Sequence, residues 1–109
     1  MQFDVTQQND FYILAISGRM DAVNSSVFDR ECTTLFEQGM RNAVVNLSKV
    51  EYISSAGLRS ILFLAKQLRS EHGEVRFCGL QGMVEEVFTI SGFMSMFPIF
   101  DSCEAALAS

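Results

Sequence analysis

Two adjacent hydroxyls, Ser54 and Ser55, stand where an apolar, strand-like stretch ending at Tyr52 and Ile53 meets a strongly helical one that leaves through Ala56, Gly57 and Leu58. The start of a helix carries unpaired N–H groups and the positive end of the helix dipole. A serine there has two uses. Its oxygen can accept one of the orphan N–H groups as a cap, or its hydroxyl can take a phosphate, which adds about −1.5 to −2 charges where they are favoured. Ala56 and Gly57 are nearly without side chains, so the first turn is expected to be bare enough for another protein to approach its backbone; glycine inside a helix otherwise costs about 1 kcal/mol. At about 100° per residue, Ser55, Arg59, Phe63 and Lys66 form one stripe beside the apolar face. A hydroxyl, two cations and an aromatic ring on one partly exposed stripe suit either a solvated helix edge or a docking surface.

Other chemistries find less support. The one histidine, His72, lies at the far end of the same helix, about 25 Å from Ser55 at 1.5 Å per residue, which removes a Ser-His nucleophile pair. His72 reads better as part of the helix end. The acidic pairs Asp29/Glu31 and Glu85/Glu86 fall on helices and read as solvated faces rather than acid/base dyads. No phosphate-binding loop, dinucleotide fingerprint, nucleophile elbow or HExxH helix is present. Cys32, Cys78 and Cys103 are odd in number and contain no CxxC pair, so neither a disulfide framework nor a metal site is indicated, and no cofactor is implied. Thirteen acidic against eight basic residues give a net charge of −5, which argues against nucleic acid as a partner. With no signal-like leader and no apolar run of membrane-spanning length, a cytoplasmic protein without membrane insertion is expected. The expectation is a binding protein, not an enzyme.

The elements that must position these residues are legible as an alternation. Residues 1–109 are one domain's worth of chain, nearly half hydrophobic. Gln2 to Thr6 and Phe11 to Ile16 form an opening β-hairpin, and Gly18-Arg19-Met20-Asp21 ends its second strand. Asn24, Ser25 and Ser26 offer caps for a first helix, with Asp29 completing a capping box with Ser26; Phe28, Cys32, Leu35 and Phe36 line its apolar face and Gly39 stops it. Asn42 to Leu47 is short and β-branched, which predicts a central strand covered on both sides. A second helix spans about Ala56 to Glu71 on the stripe Leu58, Ile61, Leu62, Ala65 and Leu68. Glu74 to Leu80 supplies a strand, Val84, Val87 and Phe88 a third helix ending at Gly92, Phe97 to Phe100 an edge strand around Pro98, and Ser102 a cap for a last short helix. The order ββαβαβαβα implies a mainly parallel, mixed α/β sheet of about five strands covered by about four helices.

In this arrangement the chain resembles the STAS domain family, and within it the small bacterial anti-sigma factor antagonists. The strongest element is "VVNLSKVEYISSAGLRSIL", in which a strand and a short polar link lead to a D/S-S-S/T/A-G-L helix start; Gly18 to Asp21 is similar to the family's G-x-L-D, and Val87 to Phe93 to its F-x-x-S/T-G-L/F helix ending. The resemblance covers essentially all of residues 1–109 as a single STAS domain. It implies a partner switch: the unphosphorylated protein binds an anti-sigma factor that is also a serine kinase of the histidine-kinase-like ATPase class, phosphorylation releases it, and a serine phosphatase resets the cycle. The family's phosphoacceptor falls on Ser55; Ser54 replaces the preceding aspartate and is itself an alternative acceptor. Asp21, Ser54, Ser55, Ala56, Gly57, Arg59, Phe63 and Lys66 are then the implied partner-binding residues. A second reading within the same family is a ligand-sensing or scaffold unit for nucleotide, lipid, transport or secretion, in which Ser55 is only a helix cap.

Overall fold

The computed structural model describes residues 1–109. The hairpin forms from β1 (Gln2–Gln8) and β2 (Phe11–Met20), with Asn9 at φ 58°, a left-handed turn conformation that asparagine tolerates. α1 (Ala22–Glu37) then leads to β3 (Asn42–Ile53), α2 (Ser55–Ser70), β4 (Glu74–Cys78), α3 (Gly82–Ser91), the single turn α4 (Phe93–Met96), β5 (Ile99–Phe100) and α5 (Cys103–Ala108). The sheet order is β1-β2-β3-β4-β5, antiparallel in the first pair and parallel in the rest, so β3 is central as its apolar run predicts. The expected order of elements is present with α4 added; four residues carry too little periodicity to announce a helix.

Two boundaries and one buried face depart from the sequence reading for identifiable physical reasons. α1 starts earlier than Asn24 to Ser26 because Asp21, in extended backbone, accepts from the Asn24 N–H at 2.9 Å and is the cap; the Ser26–Asp29 capping box does not form. β3 runs six residues past Leu47, because β2 keeps pairing with it through Gly18↔Val50 and Met20↔Ile53 after β4 has ended at Cys78↔Asn46. The buried stripe of α2 is Gly57, Ser60, Ile61, Leu64, Ala65 and Leu68, with Leu58 and Leu62 only half-buried. Packing against α1 turns α2 toward its small residues, and the Ser60 hydroxyl donates to the Ser25 carbonyl at 3.3 Å across that seam.

The helices are unevenly shared between the two faces of the sheet. Alternate strand residues Leu14, Ile16, Val45, Leu47, Val75 and Phe77 join α1 to α4 in one apolar core, closed by edge-to-face contacts of Phe88 with Phe77 and Phe93. On the other face only α5 packs, over Val44 and Cys78. The expected two-sided cover of β3 is therefore confined to its first half; Ser48 and Lys49 beyond it are exposed. No helix is long and apolar enough to cross a membrane.

Candidate functional site

The long β3 carries the Ser54-Ser55 pair to the rim of the sheet, past the end of β4 and beside the end of β2. There Ser54 is fixed three times. Its N–H and its hydroxyl both donate to the Met20 carbonyl, at 3.0 and 2.9 Å, and the same hydroxyl oxygen accepts from the Gly57 N–H at 3.2 Å. Ser54 is thus the N-cap of α2, half-buried and tied to β2. The cap reading of Ser55 does not hold. Ser55 is the first helical residue and is exposed, and its hydroxyl has no partner within the fold.

Gly57 is buried against the rim. A Cβ there would lie 2.7 Å from the Ile53 Cγ1 and 3.0 Å from the Met20 carbonyl oxygen. Glycine is required for α2 to close onto β2 and β3, and it does not bare the helix backbone to solvent as its small size suggests. Ala56 is half-buried on the edge of a shallow groove between the N-terminal halves of α1 and α2. Arg59 and Phe63 of α2 line the same groove, and Lys66 follows on the stripe; all three are exposed, Phe63 by 48 %. The ion pair of this fold is Arg76–Glu74, so the Arg59 and Lys66 cations have no carboxylate partner. Asp21 is held at the same end of the molecule, one residue beyond the Met20 that anchors Ser54, with its carboxylate engaged as the α1 cap.

The α1 wall of the groove was not foreseen as part of the site. Ser25, Ser26 and Asp29 line it opposite Arg59 and Phe63. The Ser25 hydroxyl and the Asp29 Oδ1 are buried without hydrogen-bond partners in the fold. Asp29 is half-buried and not on a solvated face, and its place is set by the α1–α2 packing rather than by α1 alone. One signal was available: Ser25 precedes Phe28 by three residues and Cys32 by seven, which puts it on the buried face of the same helix. His72 lies at the opposite end of α2, at φ 64° just after its C-cap, so it closes the helix and takes no part in the site.

The STAS domain family model matches residues 2–106, and the chain belongs to that family. A Bordetella bronchiseptica protein, BtrV, described as an anti-sigma factor antagonist, is 39 % identical over 109 residues, covering 100 % of this chain and 94 % of that one. Among solved structures, a Thermotoga maritima protein described in the same terms superposes with a TM-score of 0.92 at 22 % identity, covering 97 % of this chain and 92 % of that one. The Bacillus cell fate determinant SpoIIAA in its phosphorylated form superposes at 0.78 with 16 % identity, covering 98 % and 97 %. The solved structures match the mixed five-stranded fold.

Proposed function

We propose that this chain is an anti-sigma factor antagonist that works by partner switching. Unphosphorylated, it binds an anti-sigma factor with serine kinase activity of the histidine-kinase-like ATPase class through the α2 start and its exposed stripe; phosphorylation of Ser55 releases it, and a serine phosphatase restores binding. The observation that carries this reading is the division of labour between the two serines. Ser54 spends its hydroxyl on Met20 and Gly57, whereas Ser55 presents a free, exposed hydroxyl at the positive end of a 16-residue helix. A dianion there is favoured by its own helix, so release comes from repulsion and desolvation at the partner's surface, not from unfolding. A relative described as an antagonist at 39 % identity, and the phosphorylated state of SpoIIAA, support the same assignment.

The experiment is intact-mass measurement with site mapping on protein recovered from its native cell, before and after phosphatase treatment. One phosphate on Ser55, absent from Ser55→Ala and retained in Ser54→Ala, is the expected result. Full phosphorylation of Ser55→Ala would remove Ser55 as the acceptor.

A further inference from the structure

α5 is held on the face of the sheet opposite α2 by a set of contacts that also position a pair of thiols. Ser102 caps the helix, its hydroxyl accepting from the Ala105 N–H at 3.1 Å. Arg76, on β4, donates to the carbonyls of Ala106 and Ser109, at 2.5 and 3.1 Å, while its guanidinium lies 4.6 Å from the centre of the Phe11 ring. The next outward residue along β4 is Cys78, fully buried beneath α5, and its Sγ is 2.8 Å from the Sγ of Cys103 in the first turn of α5. Both are free thiols. Cys103 is partly exposed and lines an open depression with Gln8, Asn9 and Glu104, so a small molecule reaches it without α5 moving.

We propose that Cys78 and Cys103 form a reversible dithiol–disulfide site that clasps α5 to β4. A disulfide requires the sulfurs at about 2.05 Å, less than 1 Å closer than they already stand. The partner reagent is a low-molecular-weight disulfide. The Cys103 thiolate attacks one of its sulfurs and expels the first small thiolate, giving a mixed disulfide on Cys103. The Cys78 thiol then loses its proton and attacks the Cys103 sulfur, expelling the second. Overall the two protein thiols are oxidised to one disulfide and the small disulfide is reduced to two thiols. Burial, then the hydrogen bond with Cys103, push the Cys78 thiol well above its ordinary pKa, so the second step speeds up with pH. Cys32, sealed inside the other core, takes no part.

The test is treatment of the folded protein with cystamine, a cationic small disulfide compatible with the neighbouring Glu104, followed by intact mass, a non-reducing peptide map and thermal denaturation. Expected are the loss of two hydrogen masses, a Cys78–Cys103 cross-linked peptide pair, and a Tm raised by about 5–15 °C that returns to its starting value with dithiothreitol. Cys32→Ser should behave like the parent, and Cys103→Ser should form no internal bond. The map of the parent chain decides the matter even where that second variant folds poorly. A persistent mixed disulfide on Cys103, a cross-link to Cys32, or unreacted thiols throughout would each overturn the proposal.

Discussion

At the scale of single residues, two neighbouring serines of identical chemistry have been given different work by one carbonyl group. Met20 ends β2 within reach of Ser54 and not of Ser55, and its oxygen takes both the N–H and the hydroxyl of Ser54. Ser54→Ala removes the cap and leaves the Gly57 N–H without its partner, so a loss of about 1–2 kcal/mol is expected in denaturant unfolding, with Ser55 still open to phosphorylation. Gly57→Ala sets two effects against each other. Alanine gains about 1 kcal/mol of helix propensity, but its methyl group meets Ile53 and the Met20 carbonyl at 2.7 and 3.0 Å. Backbone cannot yield as a flexible side chain does, so strain wins, and a net loss of about 1–2 kcal/mol is expected. A rise in Tm for this variant would contradict the close-packing account of the rim.

At the scale of elements, α2 separates its duties by face. Ile61, Leu64, Ala65 and Leu68 hold the helix on the sheet, and Arg59, Phe63 and Lys66 contribute little to that packing because they are exposed. The proposed function places partner binding on the second set. Phe63→Ala and Arg59→Ala should therefore change Tm little, within about 0.5 kcal/mol of parent stability, while accelerating dissociation of the anti-sigma partner in a surface-binding experiment. Ser55→Asp belongs to the same scale. One carboxylate at the α2 start is stabilising by about 0.3–1 kcal/mol, so weakened partner binding with an unchanged or slightly higher Tm is expected. A sharp drop in Tm would mean that phosphorylation acts by loosening the helix.

At the scale of the whole molecule, the core imposes a pH dependence through Cys32. Burial first, then the charges of Asp29 and Glu31, hold its thiol far above the ordinary value of 9.0. Below that value the thiol is protonated in both folded and unfolded chains and stability is unaffected. Above it the unfolded chain releases the proton and the folded one retains it, so stability falls as pH rises, by up to about 1.4 kcal/mol per pH unit for this one group. Urea unfolding across the alkaline range checks this. Cys32→Ala should be less stable at neutral pH, because a buried sulfur is lost, and should show a shallower alkaline decline.

The sequence by itself determined the alternation of strands and helices, the central place of β3, the helix that opens after Ser54, and the exposed stripe of Ser55, Arg59, Phe63 and Lys66, because hydrophobic period and caps are local signals. Family membership was legible for the same reason: the serine pair, Gly57 and Leu58 sit at fixed spacing within one short segment. Tertiary structure alone decided which serine is free, since the choice depends on Met20, more than thirty residues away along the chain. It also decided that Gly57 serves packing, that Asp29 and Ser25 turn inward to the groove, and that one continuous β3 joins Asn42–Leu47 to the stretch ending at Ile53, because each depends on a neighbour brought up from another element. Cys78 and Cys103 show the same limit: nothing in their spacing joins them, and only the seating of α5 on β4 brings their sulfurs to 2.8 Å.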